Sequence, residues 1–537
     1  MQARTATAAK LQVVDPAGAF ASAREKFEEV STRLGEQEAM GLTHGEVERL
    51  LFSEGMEILR RLYQGHIQLR GVGEVEGGVV TDGDGTELTH IRLHPRQLGS
   101  LFGVVRADRL GYGERGEHSV HPLDADLNLP NGLHSHEVQR RVALEVSKHS
   151  FDGAVAAIEA TTGASVAKRQ AEEIAAHAAS DFDGFYATRA VETDAEVAAS
   201  GAIGVITSDG KGITMHPEDL RPQTRHAAAL AAARGKGSFT LGQPKPSEFR
   251  RDRKRMAAVA AVYTIAPFIR TPEDVIGELA RVRAVAAKRP RPENKRVWAR
   301  IDEGIDHVLG EACTEAVRRD TGRTKQWVGL VDGDEDQIAA LARHGSRHRL
   351  NPTIIVDFLH VALYVWAAAW AFFERGTPEA ENWVRDHLGE ILRGRSSLVA
   401  AGIRRSATLR KLTPKEREPA DKCADYLLKY RAYLRYDKYL AAGYPIGTGV
   451  IEGACRHLIQ DRMEITGAVW RLLSADAVLK LRSLQASGDF DEYWEFRERH
   501  EQKLNHDACY AGGSAPPVLR PHLSVPHPRP PRLHVVH

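Results

Sequence analysis

The sequence has few cysteines and almost no net charge. Its four cysteines, at positions 313, 423, 455 and 509, form no Cys-x-x-Cys pair in 537 residues. This spacing argues against a disulfide scaffold or a zinc finger and is typical of a reducing compartment. Because 73 basic residues balance 72 acidic ones, the chain is not basic overall. A nucleic-acid site would therefore need local clusters of Arg and Lys.

Long apolar segments are also scarce. Residues 1–16 contain no continuous apolar core, so we expect no secretory signal. One apolar stretch, residues 354–373, reaches membrane-spanning length, but it contains Asp357 and His360, each costly in lipid. We therefore expect a buried strand followed by a core helix there, and a soluble cytoplasmic protein without a membrane partner.

The composition, 42% hydrophobic and 27% charged, excludes a wholly disordered chain. At about 100–200 residues per domain, the length indicates several domains. Residues 17–64 have the apolar spacing of two helices, and residues 68–113 have the pattern of short strands joined by Gly-rich turns. Residues 1–134 are thus predicted to form a helical region with a small β region. The Asp-Gly-Asp-Gly run at 82–85 predicts a hairpin turn, since it lacks the long loop of a calcium site.

Residues 135–200 are predicted to be helical and to include a helix-turn-helix. Two of these helices are joined by a short turn at residues 162–164, and Ser165 is a plausible N-cap of the second. Lys168, Arg169 and Gln170 then occupy its first turns, where a recognition helix presents side chains to the DNA major groove. Plain packing of two helices is the alternative interpretation.

From residue 201 to 373, strand patterns alternate with helix patterns, which predicts an α/β core. Residues 374–444 are polar and helical and are predicted to be an insertion. Residues 445–505 would complete the core, with a helix from about Val450 that carries Glu452. Residues 506–537 are rich in Pro and His and are predicted to be a disordered tail.

Three acidic residues stand out by their positions. Asp209 and Asp332 each end an apolar strand pattern at a Gly turn, and Glu452 lies among small and apolar residues. Carboxylates that converge on one point hold Mg²⁺ or Mn²⁺, and two such ions can activate a water or a 3′-hydroxyl in phosphodiester chemistry. From spacing alone, other roles stay open: a strand-end Asp often caps a helix, and Glu452 could pair with Arg456.

Basic residues lie close to these acids in the sequence. A cluster precedes the second strand pattern of the core, and two arginines follow Glu452 along its helix. Such groups would contact DNA phosphates and make binding fall steeply with salt; a solvated loop is the alternative for the cluster. The candidates are Arg250, Arg251, Arg253, Lys254, Arg255, Arg456 and Arg462.

Five further segments stand out as longer patterns: GVITSDGKG (204–212), WVGLVDGDEDQ (327–337), TIIVDFLHVALYVWAAAWAF (353–372), the run DKCADYLLKY through MEITGAVW (421–470) and LRSLQASGDFDEYW (481–494). They resemble the transposases of ISKra-type bacterial insertion sequences. The resemblance covers roughly residues 135–500, with PLDADLNLP (122–130) just before them, and is most specific around Glu452. This family belongs to the DDE group, whose catalytic domain has a ribonuclease-H-like fold.

The resemblance implies that Asp209 is the first catalytic aspartate and Glu452 the catalytic glutamate. The second aspartate is ambiguous between Asp332 and Asp357. In a ribonuclease-H-like sheet the second carboxylate ends the fourth strand and a helix leads to the fifth, which favours Asp332. Asp357 with His360 resembles an Asp-x-x-His pair of Mutator- and hAT-type transposases, so both are candidate supporting residues. A core histidine is the alternative for His360.

The resemblance further implies a multi-domain α/β enzyme that uses two Mg²⁺ (or Mn²⁺) ions. It would bind double-stranded DNA at the terminal inverted repeats, cut it, and join the freed 3′-OH to target DNA. Cutting two ends implies a homo-oligomer on DNA, in the bacterial cytoplasm and on the nucleoid when bound. Two rivals remain: a transposase-derived DNA-binding protein without activity, and a metal-dependent nuclease on the same fold. Trp470 matches a family position, where a packed core residue is the expected role.

Overall fold

The computed structural model of the protein describes residues 16–114, 116–233, 253–280 and 288–520. The chain divides into two compact units: residues 1–181 together with 491–537, and residues 182–490. The architecture is mixed α/β. Within the described ranges no helix combines the length and the apolar character needed to cross a membrane.

The first unit begins with helices, as the sequence predicts for residues 17–64. The long helix α4 starts at a capping box, in which the Thr43 amide donates to the Glu46 carboxylate at 2.7 Å. The helices are α1 (Pro16–Ala19), α2 (Ala21–Gly35), α3 (Gln37–Met40) and α4 (His44–Leu69).

Two antiparallel hairpins follow. One pairs β1 (Val80–Thr81) with β2 (Glu87–Leu88), and the other pairs β3 (His90–Ser100) with β4 (Gly103–Gly113). The predicted turn at residues 82–85 joins β1 to β2, and Asp82 Oδ1 accepts hydrogen bonds from the amides of Asp84 and Thr86. This side-chain turn explains the Asp-Gly-Asp-Gly sequence without a calcium ion.

Four helices complete the first part of this unit: α5 (Pro122–Leu127), α6 (His136–Lys148), α7 (Phe151–Thr161) and α8 (Lys168–Ala178). Helix α6 packs against both α7 and α8. The connection between α7 and α8 spans residues 162–167, longer than the predicted turn. Ala167 rather than Ser165 is the N-cap of α8, because the Gln170 side chain accepts the Ala167 amide at 3.1 Å and fixes the helix start there.

The second unit contains a five-stranded mixed sheet with the order β7-β6-β5-β8-β9. β6 runs antiparallel to both of its neighbours, β5 and β7, whereas β8 and β9 run parallel to β5. The elements up to the middle of the sheet are α9 (Phe182–Thr188), α10 (Asp194–Ala199), β5 (Ile203–Thr214), α11 (Pro222–Ala233), β6 (Lys254–Ile265), α12 (Pro272–Leu279) and β7 (Glu293–Arg300).

Helices cover the sheet and connect its parallel strands, as the alternating pattern predicts. The amphipathic helix α13 packs on β5 and β6, and α14 leads from β8 to β9. These elements are α13 (Ile305–Arg319), β8 (Gln326–Val331), α14 (Glu335–Arg347), β9 (Thr353–Val356) and α15 (Phe358–Ala369). The apolar stretch 354–373 is therefore a short buried strand and a twelve-residue helix.

The segment predicted as a helical insertion consists of helices: α16 (Pro378–Leu392), α17 (Ser396–Leu409), α18 (Pro414–Lys429) and α19 (Tyr436–Ala441). The chain then returns to the sheet with α20 (Gly449–Ala454), continues through a π-helical turn at Cys455–Gln460 into α21 (Asp461–Met463), and forms α22 (Leu472–Ser487), which packs on β7.

The chain rejoins the first unit in α23 (Phe490–Glu501). The prediction of a disordered tail over residues 506–537 is wrong for residues 506–520. Tyr510 is buried with Val80, Leu88 and Tyr112, and it bridges to Asp82 of the first hairpin. Apolar burial against the small β region orders this part despite its lack of a hydrophobic period. Residues 521–537 lie outside the described residues.

Candidate active site

Three aspartates lie at one level of three neighbouring parallel strands. β5 and β8 pair in register up to Thr207 and Leu330, so Asp209 and Asp332, each two residues further on, share a level. β8 and β9 pair up to Val331 and Val356, the residues directly before Asp332 and Asp357. Asp357 therefore lies beside Asp332. Neighbouring strands are about 4.8 Å apart, and the three acids therefore form a row across the sheet.

Asp209 is held from both sides. Its Oδ1 accepts the Gly210 amide at 2.6 Å, and its Oδ2 accepts the Cys455 thiol at 3.3 Å. The prediction that Asp209 ends its strand is wrong, because β5 continues to Thr214. The strand continues because its antiparallel partner β6 extends along it and places Val259 opposite Asp209. Only the parallel pairing with β8 ends near Asp209, which leaves its carboxylate half-buried.

Asp332 follows β8 in a tight turn. Its Oδ1 accepts the Asp334 amide at 2.9 Å, and its backbone carbonyl accepts the Tyr426 hydroxyl at 3.1 Å. Gly333 has a φ of +98°, and a Cβ there would lie 2.7 Å from the Tyr426 oxygen, so both the conformation and the close approach require glycine. The turn leaves the Asp332 carboxylate half-buried at the edge of the sheet.

Asp357 is buried, with 2% of its surface exposed, and it acts as the N-cap of α15. Its carboxylate accepts the amides of Leu359 and His360, each at 3.2 Å, and that of Thr448 at 3.3 Å. Burial raises the pKa of the Asp357 carboxyl, and these hydrogen bonds oppose part of that shift. Asp357 thus ties the start of α15 to the segment that precedes Glu452.

His360 lies one turn into α15, half-buried beside two tyrosines. Its ring centroid is 5.9 Å from that of Tyr364 and 6.4 Å from that of Tyr426, and the two tyrosine rings stack at 4.0 Å. The neighbourhood of His360 is therefore aromatic. Its backbone amide, rather than its ring, makes the hydrogen bond to Asp357.

Glu452 is exposed on α20, and its Oε1 accepts the Thr448 hydroxyl at 3.2 Å. The helix starts at Gly449, close to the predicted start at Val450. Cys455, three residues after Glu452, begins a π-helical turn, a feature that is common at functional sites. Burial, and then the charge of Asp209, raise the pKa of the Cys455 thiol, so it remains a neutral donor. The Cys455–Asp209 bond therefore holds the Glu452 helix against β5.

These acids have no basic partner in the described part of the chain. There, no Lys, Arg or His nitrogen lies within 4.0 Å of the carboxylates of Asp209, Asp332, Asp357 or Glu452. Nearby carboxylates repel one another unless a cation joins them. Oxygen donors of this kind suit Mg²⁺ or Mn²⁺, so the donor chemistry fits the predicted ions. Among the same residues, however, no three His, Cys, Asp or Glu side chains are drawn together into a finished metal-binding group.

The predicted helix-turn-helix residues lie at the start of α8. Lys168 pairs with Asp152 at 2.8 Å, and Arg169 pairs with Glu173 at 3.0 Å. Both basic side chains are exposed, and exposed ion pairs of this kind contribute little energy, so phosphates can compete for them. Gln170 instead caps its own helix.

The basic cluster before β6 divides into different environments. Arg253 is exposed, whereas Lys254 pairs with Glu464 at 3.1 Å. Arg255 donates hydrogen bonds to Asp302 and to two backbone carbonyls. Its guanidinium is therefore engaged in contacts within the protein and is not available to DNA. The predictions for Arg250 and Arg251 lie outside the described residues.

The two arginines after Glu452 also differ. Arg456 is exposed, with its Nε 3.7 Å from Asp461, so it does not pair with Glu452. Arg462 is only 3% exposed, and its guanidinium carbon lies 4.8 Å from the ring centroid of Trp470. Burial lowers the pKa of Arg462 to about 10. The prediction that Arg462 contacts DNA is therefore wrong for this structure, because the side chain lies inside the fold.

Trp470 is a core residue, as expected. It is buried, and its Nε1 donates to the Met463 carbonyl at 2.9 Å. Two residues of the site, Cys455 and Thr448, were not predicted from the sequence. The helical spacing of Cys455 from Glu452 was the only signal for the first, and Thr448 offered none beyond its place in a Gly-Thr-Gly run.

Comparison with known proteins does not assign the chain to a family. No protein-family model matches it, and no curated protein matches it significantly.

Proposed function

We propose that the protein is a DDE transposase of a bacterial insertion sequence, of the ISKra type, with a ribonuclease-H-like catalytic domain. Asp209, Asp332 and Glu452 are its catalytic residues and the ligands of two Mg²⁺ or Mn²⁺ ions. One observation carries the proposal: Asp209 and Asp332 lie at one level of adjacent parallel strands, without a basic partner among the described residues, and Cys455 fastens the Glu452 helix to Asp209.

The order of the strands supports the fold assignment. When β5 is counted as the first strand, β8 is the fourth, Asp332 follows it directly, and α14 leads to the fifth strand, β9. This is the arrangement expected for the second carboxylate of a ribonuclease-H-like sheet. The environment of Asp357 supports the same choice, because three backbone amides already use its two oxygens. Asp357 is then a positioning residue.

Hydrogen bonds from backbone amides and from two side chains hold the proposed ligands in fixed orientations. The Gly210 amide and the Cys455 thiol orient Asp209, and the Asp334 amide orients Asp332. The Thr448 hydroxyl orients Glu452. Such preorganisation keeps carboxylates close despite their repulsion. When bound, the two ions supply activation of a water or a 3′-hydroxyl and stabilisation of the leaving oxygen.

The proposed partner is double-stranded DNA, both the transposon ends and the target. The exposed side chains of Lys168, Arg169, Arg253 and Arg456 support it. In this proposal the enzyme works as a homo-oligomer on paired DNA ends in the bacterial cytoplasm, associated with the nucleoid.

The test is Mn²⁺-dependent cleavage and joining of a duplex taken from the DNA that flanks the gene. We expect Asp209→Asn, Asp332→Asn and Glu452→Gln to abolish cleavage and to retain DNA binding. Asp334→Asn is the matched control, since it removes an exposed carboxylate two residues from Asp332 and should retain activity.

The other outcomes identify the rivals. Cleavage without strand joining would indicate a nuclease, and binding without cleavage would indicate a DNA-binding protein derived from a transposase. Activity in Asp332→Asn together with its loss in Asp357→Asn would move the second ligand to Asp357.

A further inference from the structure

A cavity of about 520 Å³ lies in the second unit directly beside the row of acids. Its lining includes Phe358, the residue after Asp357, and Gly449 and Val450, the first residues of the helix that carries Glu452. The volume is within the range of small-ligand sites in proteins, about 300–1,000 Å³. The catalytic row described above does not use this cavity.

The walls of the cavity are fixed by backbone hydrogen bonds. The Phe268 amide donates to the Gly443 carbonyl at 2.9 Å, and the Phe358 amide donates to the Ile446 carbonyl at 2.9 Å. Gly443 has a φ of +75°, and a Cβ there would lie 2.7 Å from the Phe268 nitrogen. The chain from Gly443 to Ile446 is thus held by Phe268 on one side and by Phe358 on the other, and the cavity is a built feature of the fold.

The lining combines aromatic rings with positive charge. Tyr263, Phe268, Phe358 and Tyr444 supply the rings. Arg270 lies at the cavity with its guanidinium carbon 5.2 Å from the Phe268 ring centroid.

The charges favour an anionic occupant. Of the charged lining residues, Arg289 is paired with Glu278, whereas Arg270 has no carboxylate within 4.0 Å among the described residues. The buried Nε of Arg270 also has no hydrogen-bond partner there. A buried donor without a partner is costly, and a charge-assisted bond to a phosphate oxygen would remove that cost.

We infer that this cavity receives one unpaired nucleotide of the DNA strand next to the cut, with its base against Phe268 and Tyr444 and its phosphate at Arg270. The inference rests on the proposed function, since it names the DNA as the source of the nucleotide. Bases stack on aromatic side chains whatever their sequence, and an unpaired base enters a pocket more easily than a paired one.

The test measures the affinity of the full-length protein for three duplexes of one sequence. One duplex is fully paired, one carries a single thymidine bulge, and one carries an abasic bulge. We expect the wild type to bind the thymidine bulge at least about fivefold more tightly than the abasic bulge. Phe268→Leu and Tyr444→Leu should remove this preference. Arg270→Gln should weaken binding to both bulged duplexes relative to the paired one. The control, Arg347→Gln on an exposed position of α14, should affect all three duplexes equally.

The outcomes separate this inference from the proposed function. Tight binding of all duplexes without a preference for the thymidine bulge, or a preference that survives both Leu variants, would overturn the cavity assignment and leave the transposase proposal intact. If no duplex binds, the proposed function fails. Titration with thymidine monophosphate then decides whether the cavity is a nucleotide site. Calorimetric binding that Arg270→Gln abolishes would retain a nucleotide site, and no binding would overturn it.

Discussion

Replacing Asp332 by Asn should make the metal-free protein more stable. Asp332 and Asp209 lie at the same level of adjacent strands, and neighbouring strands are about 4.8 Å apart. Two like charges at that separation repel by roughly 1 kcal/mol in a water-like medium and by about 3 kcal/mol in a partly buried one. The Asn side chain retains an oxygen that can accept the Asp334 amide, now at 2.9 Å. We therefore expect Asp332→Asn to raise the free energy of unfolding in EDTA by about 1–3 kcal/mol.

The same substitution should remove the stabilisation by Mn²⁺. An ion at about a hundred times its dissociation constant stabilises the wild type by roughly 2.7 kcal/mol, which corresponds to a rise in Tm on the order of 5 °C. Asp332→Asn should lose most of this rise. Urea and thermal unfolding, each in EDTA and in Mn²⁺, measure both effects without any DNA.

Asp334→Asn is the control for this experiment. Asp334 is exposed and caps α14 through the amides of Asp336 and Gln337, and Asn is an equally good N-cap. This variant should show no gain in EDTA and a full response to Mn²⁺. If Asp332→Asn is less stable than the wild type in EDTA, or if it keeps the full Mn²⁺ response, the carboxylates do not form the proposed ion site.

Three further predictions follow from single contacts. Arg253→Gln should reduce the slope of log Kd for DNA against log salt concentration by about 1. Arg255→Gln should instead lower the free energy of unfolding and leave that slope unchanged. Salt titrations of DNA binding measure the slope, and urea unfolding measures the stability. Cys455→Ala removes the thiol donor to Asp209 and should slow Mn²⁺-dependent cleavage severalfold, and Cys455→Ser should restore the rate; equal rates in the two variants would contradict this role. Burial raises the pKa of Asp357 above its ordinary 3.8. The difference in unfolding free energy between the wild type and Asp357→Asn should therefore fall as the pH rises from 3.8 through the raised pKa. Urea unfolding across this interval checks the sign, and a rising or flat difference would refute it.

Four strands of the sheet were predictable because their sequences are largely apolar. Strands buried on both faces have nearly continuous apolar sequences, as the central strands β5, β6 and β8 do, and β9 at one edge of the sheet is also apolar. The edge strand β7 was missed, since its sequence, ENKRVWAR, is largely charged and polar. Its Arg296 is buried and pairs with Glu315 of α13 at 2.8 Å, and Trp298 donates to Glu311 at 2.8 Å. These acids lie on another element, so no local pattern shows that the charges are neutralised.

The acids of the site were also predictable, but their separate roles were not. Asp209, Asp332 and Asp357 each follow or lie within an apolar strand pattern, which local sequence shows. What distinguishes them comes from remote residues: Cys455 reaches Asp209 across 246 positions, and Thr448 reaches Asp357 across 91. Only the folded chain shows that Asp357 is saturated with backbone donors, and that Arg255 and Arg462 are engaged inside the fold.

These contacts also determine which experiment can identify the second ligand. Asp357 holds the segment at Thr448, and Thr448 in turn orients Glu452. Loss of cleavage in Asp357→Asn is therefore expected even if Asp357 never touches an ion, because Glu452 would lose its support. The stabilisation by Mn²⁺ separates the two roles, since the carboxylates of Asp209 and Asp332 remain in that variant. A positioning role for Asp357 requires that Asp357→Asn keep most of this stabilisation while Asp332→Asn loses it, and the reverse result would make Asp357 the ligand.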